Sequence, residues 1–222
     1  MTLPATPSLL LMASFILLAL GMTLVFARWT GRYAWSGVWL VGTGTLAALG
    51  VFQDDEVPPR LAMLLIPGAI TLSIAAWRSE WHKRPLAFLV GFQAFRILVE
   101  LAIHQAVVEG VAPPQMSWEG RNFDILTGIT ALLLIPVVDR LPSWSLHAWN
   151  FAGAVLLLNI VSVAMLSLPT PFQLFEPDNV WLLFFPFTWL PLILAMMAWL
   201  GHVVLLRRLT ADANGASSSV HP

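Results

Sequence analysis

The sequence predicts an all-α polytopic membrane protein: a bundle of seven transmembrane helices with its amino terminus outside and its carboxyl terminus in the cytoplasm. Three observations predict it. Of the 222 residues 58% are hydrophobic and only 10% charged, and the mean hydropathy is +0.80, whereas a soluble chain averages roughly 25% charged. Seven stretches are apolar over the roughly 20 residues that cross a hydrocarbon core about 30 Å thick. Lys and Arg gather after the odd-numbered stretches, the bias that marks cytoplasmic loops.

The first stretch, near 8–27, has no basic leading region and is followed by Ala27-Arg28-Trp29 rather than a small-residue cleavage site, so it stays as a helix. The second, near 35–52, carries Gly37, Gly42, Gly44, Ala48 and Gly50, small residues that let neighbouring backbones approach in lipid. The third, near 61–77, holds Pro67. The fourth, near 86–109, holds Arg96, Glu100 and His104. The fifth, near 119–138, must begin before its apolar run Ile125 to Val138, which alone covers only about 21 Å. It therefore draws Glu119, Arg121, Asn122 and Asp124 to membrane depth or its edge. The sixth, near 147–168, contains His147, Asn150 and Asn159. The seventh, near 179–206, contains Pro186, Pro191 and His202. Prolines inside spans remove a backbone donor and kink or open a helix.

Arg28, Arg32, Arg78, Lys83, Arg84, Arg140, Arg207 and Arg208 follow odd-numbered spans, while only Arg60 and Arg121 fall on the opposite side. Asp54, Asp55, Glu56, Glu109, Glu176 and Asp178 gather on the outer side. Trp29, Trp35, Trp77, Trp81 and Trp144 near the inner boundary, with Trp118 and Trp181 near the outer one, suit an interfacial belt. Residues 1–210 form a single membrane domain. Residues 211–222 read as a disordered cytoplasmic tail, because the Asn-Gly-Ala-Ser-Ser-Ser run has nothing to bury.

Composition also excludes functions. Eleven Lys and Arg against twelve Asp and Glu give no positive field for nucleic acid. The absence of cysteine removes disulfides, thiolate metal sites and cysteine nucleophiles. Partners are the lipid bilayer, a small-molecule substrate and, for a structural role, a membrane partner subunit. No cofactor is expected.

Ionisable groups at mid-span are functional candidates by default, since each costs about 2.5–3.5 kcal/mol to insert. Arg96, Glu100 and His104 lie four residues apart on one helical stripe, rising about 12 Å from the centre toward the outer face. Gln93 extends the stripe inward. The fourth and fifth spans are antiparallel neighbours, so Arg121, Asn122 and Asp124 are expected to meet that stripe in the outer half of the membrane. His147 and His202 are expected near the inner boundary, where hydrogen bonds to water or headgroups account for them. With only His104 deep, no metal site is expected.

The block from Phe95-Arg96 through Glu100 and His104 to Glu119-Gly-Arg-Asn-Phe-Asp-Ile125 resembles a segment of uncharacterised multi-pass bacterial membrane proteins. That resemblance supports the block as a unit and carries over no chemistry, while the absence of cysteine and of an organelle targeting signal is compatible with a bacterial cytoplasmic (inner) membrane. Seven spans with an external amino terminus are also similar to microbial rhodopsins and SWEET carriers. The only lysine, Lys83, lies in a loop, which excludes a retinal Schiff base, and the most polar span here is the one that is inert in SWEET carriers. Zinc hydrolases of the ceramidase type need three deep histidines. Three functions remain: a transporter or permease, in which Arg96 or Arg121 holds an anionic solute and Glu100 and His104 exchange a proton; a membrane enzyme acting on a lipid or isoprenoid; and a structural or accessory subunit.

Overall fold

A computed structural model of the chain describes residues 1–53 and 59–218, with side chains described as far as Asp212. Asp54, Asp55 and Glu56 lie outside the described residues, as do residues 219–222. Among the described residues there are seven helices: α1 Leu9–Thr30, α2 Tyr33–Ala48, α3 Arg60–Arg78, α4 Leu86–Val108, α5 Ile125–Leu134, α6 Ser143–Leu166, and α7, which opens with a π-helical turn over Leu190–Ala195 and continues through Met196–Ser218. Five of them, α1, α3, α4, α6 and α7, are long and apolar enough to cross a membrane. Their outward faces repeat large apolar residues at helical spacing, such as Ile66, Ile70 and Ile74 on α3 and Phe151, Val155 and Leu158 on α6. Apolar surface on that scale is stable only in lipid or under a partner.

Local chemistry sets the ends. Ser8 caps α1 by accepting the Leu11 N–H at 3.1 Å, and Gly31, at φ 74°, closes it in the left-handed conformation that a Cβ disfavours. Pro59, Pro85 and Pro142 stand immediately before α3, α4 and α6, where a missing N–H costs nothing. α2 stops at Ala48, four residues short of the expected boundary, and Gly50 turns the chain at φ 73°. Of the small residues on α2, Gly44 makes the close approach: a Cβ there would sit 2.7 Å from the Trp189 ring, whereas Gly37 and Gly42 face open space.

Two expected spans take a different form. The fifth is not a 20-residue helix begun at Glu119; α5 has 10 residues, about 15 Å and half a hydrocarbon core. The stretch before it, from Gly110 to Asp124, is a run of turns with a short 3-10 segment at Pro114–Met116. The seventh does not start at 179: a 3-10 turn at Val180–Leu183 and a non-helical stretch precede α7. Both non-helical segments are buried, through Val111, Met116, Ser117, Asn122, Trp181, Leu183 and Phe187. Buried segments of this kind are the form in which irregular backbone is tolerated at membrane depth. Trp181 is therefore not in an interfacial belt; it packs against Phe15 and Phe187 at 5.6 and 5.1 Å.

α7 is the axis of the bundle. Of its apolar stretch 72% is buried, against 28% in α1 and α3, and α1, α3, α4 and α6 all pack on it. At one end Ser8 donates to Glu109, and Gln115 donates to Ser167 Oγ and Pro177 O. This ties the start of α1 to the end of α4, and the two buried connections to each other. At the opposite end Arg207 donates to the Ala76 and Ser79 carbonyls. These contacts define the Ser8 end and the Arg207 end of the bundle.

Candidate functional site

The site is built around Arg96, which enters α4 directly after a 3-10 turn at Phe92–Phe95. A mid-helix 3-10 stretch often marks a functional hinge, and this one is pinned to α7 by Gln93, whose side-chain amide donates to Ala198 O at 3.1 Å. The Arg96 guanidinium is 2% exposed. Its Nε donates to Asp124 Oδ2 at 2.6 Å, and a second nitrogen meets the other carboxylate oxygen, completing a two-point ion pair. A third contact, at 2.9 Å, is to His202 Nε2, and a fourth, at 3.5 Å, is to the Gly153 carbonyl. Arginine only donates, so His202 Nε2 accepts and its Nδ1 carries the hydrogen, donating to Asn150 Oδ1 at 2.8 Å. Asn150 returns a bond to His202 O at 3.1 Å. α4, α6, α7 and the turn before α5 meet at one guanidinium.

Glu100, one helical turn above Arg96, has a separate partner. Its Oε2 accepts from Asn122 Nδ2 at 2.6 Å, and that amide also donates to Met116 O at 2.9 Å. Asn122 Oδ1 accepts the Asp124 N–H at 3.0 Å. One asparagine thus holds Glu100, the 110–124 turn and the entry to α5. Among the described residues no hydrogen bond reaches Glu100 Oε1. Among the described residues Arg96, Glu100 and Asp124 are also the only polar ones lining an otherwise apolar cavity of about 60 Å³ between α3, α4, α6 and α7. A site for one water takes about 10–15 Å³, so the cavity has room for a few waters or a small head group. Met116 and Leu182, one from each buried connection, close it toward the Ser8 end, and the π-helical turn of α7 forms a wall through Leu190, Pro191 and Leu194.

The six residues singled out from the sequence therefore divide. Arg96, Glu100, Asn122 and Asp124 are buried together. His104 stacks on Trp118 at 4.2 Å and 17°, with its buried Nδ1 unpartnered. Arg121 is exposed, over the Phe175 ring at 4.6 Å, and gives only its carbonyl to Asn159. His202 and Asn150 belong to the network, contrary to the interfacial place expected for His202. A span ending at 206 places His202 one turn from water, but α7 continues beyond it and His202 is 2% exposed. His147, also expected near the inner boundary, is half-buried and bonds to Ser143. Gly153 makes room for the His202 ring: a Cβ there would lie 2.7 Å from its Cε1. Among the described residues no group of three His, Asp or Glu stands ready to hold a metal ion.

Fold and site together define an all-helical protein with five helices suited to a bilayer and a buried charge network beside an apolar cavity. No family model, curated protein or solved structure matches the chain.

Proposed function

We propose that this chain is a seven-span carrier of a bacterial cytoplasmic membrane, with the Ser8 end outside and the Arg207 end in the cytoplasm, that passes a small solute through the central cavity while Glu100 exchanges a proton. The carrying observation is the cavity itself. It lies where the two most buried helices lose regular geometry, at the 3-10 turn of α4 and the π-helical turn of α7. Discontinuous helices at mid-bundle are how carriers build substrate sites. On this reading α2 and α5 complete two further crossings with the turns that flank them, and the Lys and Arg count supports the orientation.

The network also narrows the solute. Four of the five N–H groups of Arg96 already have partners in Asp124, His202 and Gly153, so it has no free face for an anion. Around the cavity stand one cation and two carboxylates, and Glu100 is the open group. An exclusively structural role accounts for the Arg96–Asp124 pair but not for a carboxylate left facing a cavity.

Because the chain has no cysteine, single-cysteine labelling tests the carrier. Ala164→Cys, in the cavity wall, is expected to react with a membrane-impermeant thiol reagent both in intact cells and in inverted vesicles, and Glu100→Gln is expected to shift the balance between the two. A folded Ala164→Cys protein that reacts from neither side overturns the reading.

A further inference from the structure

One wall of the cavity is a single layer of side chains shared with a surface cleft. α3 and α6 both pack on α7 rather than on each other, and between them a cleft of about 380 Å³ runs along the lipid-facing surface, floored by α7. Leu65, Leu157, Val161 and Ala195 line both the cleft and the cavity, so the same four side chains face lipid on one side and the Glu100 chamber on the other. The cleft is apolar throughout except for Ser73, whose hydroxyl is engaged with Ala69 O and Trp199. A polar solute therefore gains nothing from this route, whereas a hydrocarbon chain does.

The charge inside fits a complementary head. Glu100 is 2% exposed, and Asn122 engages only one of its oxygens. A buried carboxylate without a counter-charge is costly, and the nearest cation, Arg96, is already committed to Asp124. A proton or a cationic donor satisfies Oε1, and an anion meets repulsion.

We propose that the cavity binds the head of a single-chain amphiphile carrying an ammonium or similar donor cation, which enters from the bilayer through the cleft between α3 and α6. The head sits on Glu100 Oε1 and the chain lies along the cleft. Proton and ligand are then alternative occupants of one carboxylate. This inference rests on the carrier reading for its direction of movement, but not for binding.

The test is equilibrium binding to the full chain in lipid nanodiscs, with empty nanodiscs as background, using decylammonium and decyl sulfate, which share a chain and differ in head charge. Saturable binding of decylammonium and none of decyl sulfate is expected, with affinity falling as pH is lowered and protons compete. Glu100→Gln removes the charge-assisted contact and is expected to weaken decylammonium about tenfold or more; Val161→Trp, which fills the cleft, also weakens it. Equal binding of decyl sulfate, no decylammonium binding, or decylammonium binding indifferent to either substitution overturns the proposal. The two readings separate cleanly. A cavity labelled from both sides that binds no decylammonium keeps the carrier and overturns the ligand class, while Glu100-dependent binding in a protein labelled from neither side keeps the ligand and overturns the carrier.

Discussion

Arg96 illustrates how the protein tolerates a charge at mid-bundle. Its cost is met by a two-point carboxylate contact and by oriented neutral partners, and the pair is stable only as a pair. Asp124→Asn strands the guanidinium and is expected to cost on the order of 3–5 kcal/mol, read as a lowered thermal unfolding midpoint in detergent; replacing both partners, Arg96→Met with Asp124→Leu, recovers most of that loss. A second carboxylate acts at the Ser8 end. Burial works to raise the Glu109 carboxyl, and hydrogen bonds from Gln105 and from the Ser8 amide and hydroxyl outweigh it, leaving Glu109 below its ordinary value. A lowered carboxyl contributes stability above its unfolded value, about 4.3, and loses it as pH falls through the folded one. Amide exchange at Leu11 and Met12 is thus expected to quicken on acidification, and Glu109→Gln to abolish that step. At this scale the charged members of the site are legible because ionisable residues inside apolar runs are conspicuous. His202 is not, since a histidine near a predicted span end has an ordinary interfacial explanation.

Among the elements, α1, α3 and α4 are legible as apolar runs bounded by Ser8 and Gly31 or preceded by proline. α5 is not, because helix geometry is only one way to satisfy buried backbone. From Pro113 to Asp124 the chain uses side chains and turns instead: Asn122 and Ser117 take up the carbonyls and amides a helix would have paired, a competition to which short polar residues are suited. Gly120 makes the turn feasible, since a Cβ there would press within 2.7 Å of Gln115 Cα. Backbone cannot swing aside, so Gly120→Ala is expected to dislodge Asn122 from Glu100 and lower the unfolding midpoint. Gly153→Ala meets side chains, His202 Cε1 at 2.7 Å and Thr127 Cγ2 at 2.8 Å, and overpacking of this kind costs about 1–3 kcal/mol. If the network sets the cavity, Gly153→Ala also weakens decylammonium binding, while a lipid-facing substitution such as Ile70→Leu leaves it unchanged. The π-helical turn of α7 escapes a sequence reading for a related reason: Pro191 announces a missing donor, but whether the helix kinks, widens or ends depends on neighbours. Here the Trp39 indole takes the Leu192 carbonyl at 2.9 Å.

For the whole molecule, an axial helix ringed by others, with two buried connections at the Ser8 end and a cleft between α3 and α6 separated from the cavity by Leu65, Leu157, Val161 and Ala195, places one open carboxylate on an apolar cavity. The central claim is that Glu100 gains and loses a proton while the Arg96–Asp124 pair keeps its charges. Infrared difference spectroscopy of the protein in lipid, recorded across a pH titration, measures this directly through the carbonyl stretch of a protonated carboxylic acid. The account predicts one such buried band that disappears on titration, is lost when decylammonium displaces the proton, and is missing from Glu100→Gln. A spectrum with no titrating buried carboxyl, or one whose band survives Glu100→Gln unchanged, would contradict it.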